Sequence, residues 1–185
     1  LVLLKDLYLG LEELRSVGLI HRGLTPWNVY ITPQTVRIGG VEYMIELTAH
    51  RPSYSYHLYL LDSLSSHPLF VPPEVISNGA IGPKTAVYSM GAILYFLLFR
   101  KPHLPASSLD EVQRCLAEKL LPRFPEDLSP DLTRLLRESL RIEIESRLSP
   151  YEIKQLLSHL LAYCKSFEDD LRLTVYQKKN VTSIQ

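Results

Sequence analysis

Leu1, Leu4, Leu7, Leu11 and Leu14 recur at three- and four-residue steps, with Lys5, Asp6, Glu12 and Glu13 between them. That is the period of a helix with one buried face, and Gly18 is where it is predicted to stop. Leu19 and Ile20 lead into HRGLTPWNV, residues 21–29, which reads as a loop. Next, VYIT and TVRIG are short β-rich segments on either side of Pro33 and Gln34, a pattern that predicts a hairpin. From Glu42 to about Phe70 no hydrophobic period holds, while Ser, Tyr and His are common, so this stretch reads as a long loop. Pro72 and Pro73 open a short helical segment, and Asn78, Gly79 and Gly82 then break the chain. The run from Thr85 to Phe99 is apolar on nearly every face and predicts a helix at the centre of the fold. Three amphipathic segments follow, Leu109 to Lys119, Asp131 to Leu140 and Pro150 to Tyr163, with Ser149 placed to cap the last. The remainder, 164–185, is polar and reads as a C-terminal tail beyond a domain spanning 1–163. The expected fold is mainly α with a small β unit.

Composition narrows the function classes. With 185 residues the chain suits one domain with one substantial core. Lys plus Arg and Asp plus Glu are both 20, without a long block of either sign, which argues against nucleic acid or acidic lipid as a partner and for other proteins. The most apolar stretch, Val87 to Phe99, falls short of the roughly 18–20 residues that cross a bilayer. Cys115 and Cys164 lie far apart in helical patterns and read as two core thiols. With no secretory leader in view the expected location is cytoplasmic, which makes the Asn180-Val181-Thr182 glycosylation triplet a chance match. The chain opens at Leu1 within an amphipathic pattern, and is expected to be part of a longer protein.

Five short motifs, in order, resemble landmarks of the large, C-terminal lobe of the eukaryotic protein kinase family over about 1–163. His21, Arg22, Leu24, Pro26 and Asn28 resemble the catalytic-loop pattern H-R-D-L-x-x-x-N. VRIGGVE, Val36 to Glu42, is similar to the strand that carries D-F-G; VPPEV, Val71 to Val75, to the A-P-E segment; AVYSMGAIL to the start of the central helix; and ESRLSPYEI, with Arg147, to the late arginine motif.

The resemblance implies a scaffold without its usual acids. The family's proton-accepting Asp and its metal-binding Asp correspond to Gly23 and Gly40, and the catalytic-loop lysine to Thr25. Asn28 is the one remnant of the cofactor site, and a single neutral amide does not hold magnesium without a carboxylate beside it. No G-x-G-x-x-G loop or V-A-I-K lysine occurs in the chain, so no cofactor and no metal are expected, and the N-terminal lobe would lie before Leu1. Glu42 is the one nearby acid that could stand in, and His21 reads as a core imidazole, not a base. The resemblance further implies that Glu74 pairs with Arg147 inside the lobe, and that Arg22 either receives a phosphate from the Tyr43–Phe70 segment, which holds Tyr54, Tyr56 and Tyr59, or bonds locally. Ala86 and Val41 replace an acid and a phenylalanine that brace the family's loop, so a looser loop is expected. Trp27 is either an anchor for a partner or packing over Pro26.

The expectation is a pseudokinase: no enzyme, but an interaction or regulatory module whose partners are other protein domains, the N-lobe among them. The alternatives are an atypical kinase with relocated acids and a truncated piece with no role of its own.

Overall fold

The computed structural model describes residues 2–32, 35–47 and 54–181, giving the backbone alone for 54–56 and 166–181. Helix α1, Val2–Ser16, buries Leu4, Leu7 and Tyr8. It ends at Gly18, whose φ of 78° lies in the left-handed region that glycine adopts without strain. Strand β1, Leu19–His21, then pairs antiparallel with β4, Met44–Glu46, with Ile20 opposite Ile45. Between them β2, Val29–Ile31, and β3, Val36–Ile38, form a second antiparallel ladder with Tyr30 opposite Arg37. This ladder is the expected hairpin; its turn at Pro33 and Gln34 lies outside the described residues, as does Thr182 of the glycosylation triplet.

The stretch read as a long loop needs correction. It contains β4 and helix α2, Tyr54–Leu64. His57, Leu60 and Leu64 are buried at steps of three and four, a helical stripe. Leu58 and Tyr59 are exposed, so apolar side chains on both faces of α2 hide its period in the sequence. Strands β1 and β4 were also unpredicted, because three residues are too few to display an alternation.

Helix α3, Pro73–Ile76, and the central α4, Thr85–Phe99, follow. Every residue of α4 from Thr85 to Tyr95 is buried, as an all-round apolar helix requires. Helices α5, Leu109–Ala117, and α6, Pro130–Ser139, begin on Ser108 and Ser129, whose hydroxyls accept the N–H groups of Glu111 and Leu132. Helix α7 begins at Pro150 with a reciprocal cap: the Glu152 N–H donates to Ser149 Oγ, and the Ser149 N–H to Glu152 Oε2. It runs to Val181, beyond the predicted end near Tyr163, because the polar stretch contains neither glycine nor proline to break it.

The main core gathers Leu7, Leu24, Met90, Ile93, Leu136 and Leu157 beneath α1, α4, α6 and α7. A second cluster joins α2, α3 and α5 through Leu64, Val75, Val112 and Cys115. Cys164 is only half-buried, so one of the two free thiols, not both, belongs to the core. Among the described residues no helix is long and apolar enough to cross a membrane.

Candidate functional site: a glycine-bearing loop

β1 delivers the chain into the loop at His21, and the loop is then closed by its own side chains. The Gly23 N–H lies 3.2 Å from His21 Nδ1, an acceptor in this arrangement, so the ring proton sits on Nε2 and donates to the Gly39 carbonyl at 2.9 Å. Burial lowers the His21 pKa, opposed by the Gly39 carbonyl and the negative charge of Glu42. With both nitrogens occupied, the neutral imidazole ties β1 to the end of β3 and has no lone pair for a substrate proton.

Pro26 opens a single 3-10 turn, Pro26–Asn28, on its preset φ. The turn aims Asn28 back at the loop: its Oδ1 accepts the Thr25 N–H at 2.8 Å and its Nδ2 donates to the Gly23 carbonyl at 2.7 Å. Thr25 is buried beside it. Arg22 is 1% exposed, and its Nε and backbone N–H both donate to the Tyr43 carbonyl, at 3.1 and 3.2 Å. Both of these bonds are local. The side chains of Tyr54 and Tyr56 lie outside the described ones, and Tyr59 faces outward from α2.

The two glycines are enclosed as well as bare. A Cβ at Gly23 would lie 2.7 Å from Leu64 Cδ2 and 2.8 Å from Tyr43 Cγ. At Gly40, where φ is 77°, a Cβ would lie 2.8 Å from Asn28 Nδ2. Leu64 of α2 and Tyr43 thus fill the space into which a side chain at 23 would point. Val41, at the position of the family's phenylalanine, is 72% exposed instead of packed, and Glu42 beside it is exposed too. Magnesium held with a nucleotide ordinarily takes at least one carboxylate. Positions 23 and 40 supply none, and the amide of Asn28 is engaged within the loop on both its oxygen and its nitrogen. These residues do not fit the family's metal site.

Away from the loop, Glu74 of α3 meets Arg147, which lies two residues before α7's cap at Ser149. The two are joined through Arg147 Nη1 to Oε1 at 2.8 Å and Nη2 to Oε2 at 2.6 Å. Arg147 spends its remaining donors on the carbonyls of Arg141, Lys84 and Ile142, and stacks 5.1 Å over the Tyr88 ring. All five guanidinium protons are used, which is the condition for burying such a charge at low cost.

Trp27 lies flat against His67, 3.8 Å between centroids, with its edge toward Phe70, yet it remains 59% exposed. Ala86 is buried at the start of α4, and the loop donors at Gly23 and Thr25 are taken by His21 and Asn28. Sequence reading missed Tyr43 and Leu64. Neither belongs to a motif, and only three-dimensional proximity links them to Gly23.

A protein kinase domain model matches residues 2–161. The chain is similar to serine/threonine-protein kinase atg1 of Dictyostelium discoideum, 26% identical over 80% of this chain and 22% of the relative. It is similar to serine/threonine-protein kinase ATG1a of Arabidopsis thaliana, 27% identical over 85% and 25%, and to serine/threonine-protein kinase PLK1 of Xenopus tropicalis, 29% identical over 78% and 23%. The chain therefore spans about a quarter of the length of these relatives. These matches overturn the expectation that the chain is no enzyme, since the family model and the relatives' names point to one. On its fold, the order of its motifs and a match across most of its length, the chain belongs to the protein kinase domain family.

Proposed function

We propose that the chain is the large, C-terminal lobe of a degenerate kinase domain, a pseudokinase in the sense that both family acids are replaced, and that it serves a larger protein as a regulatory or interaction module. The observation that carries this reading is the environment of Gly23, where Tyr43 and Leu64 occupy the room an acid would need. His21, Arg22, Glu74 and Arg147 are then structural, and Asn28 is a loop brace. The domain covers 1–163 with 164–185 as its tail, works in the cytoplasm, and has other protein domains as partners, the N-lobe among them.

A second reading is favoured by the relatives' names: phosphoryl transfer to serine or threonine hydroxyls, with Glu42 as the acid. In its support, the charge of Glu42 already acts on His21. Loss of a general base slows transfer by roughly 10²–10⁴-fold, from turnovers of about 1–100 s⁻¹. The test is transfer of labelled phosphate from ATP to a serine peptide by the full-length protein, with and without Glu42→Gln, alongside melting with ATP and magnesium. The module reading expects turnover at least about 10²-fold below the kinase range and no shift in melting. Turnover inside that range, abolished by Glu42→Gln, would establish the second reading instead.

A further inference from the structure

We propose that a groove between the C-terminal ends of α4 and α6 binds an acidic peptide segment in extended conformation. Two hollows, about 570 and 640 Å³, share Leu121 and Arg123 in their linings and together make the proposed groove. Lys101, Arg123, Arg137 and Arg141 line it, and no carboxylate does. All four cations are exposed, and among the described residues none has an ion-pair partner. In a chain whose total charge is +0, this is a local excess without internal compensation.

The backbone of the same segment supplies a second, independent feature. The N–H groups of Leu121, Arg123 and Phe124 make no hydrogen bond among the described residues. The segment is nevertheless held in place, because the Tyr95 hydroxyl donates to the Arg123 carbonyl at 2.9 Å. An anchored stretch of unpaired backbone donors, walled by apolar side chains and flanked by cations, matches an extended peptide that pairs main chain to main chain and places carboxylates against arginines. A single-stranded nucleic acid held by base stacking would need a free aromatic face. Phe124, the aromatic ring beside three of these arginines, is half-buried and carries the Arg137 guanidinium 5.8 Å from its centroid.

The groove lies apart from the Gly23 loop, so its peptide binding stands or falls independently of phosphoryl transfer there. The test titrates the full chain with a short fluorescein-labelled peptide of alternating glutamate and leucine. Controls are the same peptide with glutamine for glutamate, a single-stranded oligonucleotide and phosphatidylserine vesicles. The acidic peptide is expected to bind, to weaken with added salt, and to weaken at least about ten-fold in Arg123→Glu with Arg141→Glu. On the unaltered protein, bound peptide is expected to slow amide exchange at 121, 123 and 124, a readout that does not depend on the variant folding. No binding, equal binding of the glutamine peptide, tighter binding of oligonucleotide or vesicle, or unchanged exchange at those amides would overturn the proposal.

Discussion

A side chain at Gly23 would have to displace packed neighbours in this fold. Gly23→Ala puts a methyl within 3 Å of two packed side chains, and overpacking of that kind typically costs about 1–3 kcal/mol. Urea unfolding should report that loss, and pairing the change with Leu64→Ala should recover part of it, since the two sites share one space. A fully neutral Gly23→Ala would mean that Tyr43 and Leu64 are not packed there. The opposite logic governs Arg147. Its truncation strands Glu74, which is 8% exposed, so Arg147→Ala should cost about 3–5 kcal/mol, whereas a loss under about 1 kcal/mol is what a surface pair would give. The pairing of Glu74 with Arg147 is the one that the family resemblance implied. The enclosure of Gly23 could not be read from the sequence, because Tyr43 and Leu64 reach it from separate elements, and nothing local in the sequence encodes that approach.

Among the elements, legibility followed length and uniformity of pattern. α1 and α4 were readable because one shows a clean stripe and the other is apolar throughout, whereas α2 escaped because Leu58 and Tyr59 blur its buried stripe of His57, Leu60 and Leu64. The contact between α4 and α6 rests on a small residue. A Cβ on Gly91 would lie 2.7 Å from Ser139 Cβ, so the helices approach closely at that crossing. Gly91→Ala gains helix propensity of about 0.8–1 kcal/mol but has to force α4 away from α6, and the clash with a rigid neighbouring Cβ should win. Thermal unfolding is expected to show a net loss of roughly 1–2 kcal/mol, and a net gain would show that the helices separate freely.

For the whole molecule, buried histidines set the acid limit. His103 is buried, has its Nε2 2.9 Å from the Tyr88 hydroxyl, and has its pKa pushed by burial down to about 3. His21 shifts in the same direction. Because the unfolded chain binds these protons at about pH 6.5 and the fold does not, their stabilising contribution is complete above that pH and declines as pH falls, for His103 until about 3. Each site steepens the decline by up to about 1.4 kcal/mol per pH unit, and His103→Gln should flatten the profile between roughly pH 6 and 4. An unchanged slope in urea titrations would show that His103 is hydrated.

The bidentate link between Glu74 and Arg147 closes over 73 positions of chain, and exposed Lys119 and Arg123 lie inside that span. A trypsin nick at either would therefore cut the polypeptide without releasing its two ends. Separately expressed halves divided there would carry Glu74 and Arg147 on opposite fragments along with shared apolar faces, which suits this domain to split-fragment reassembly.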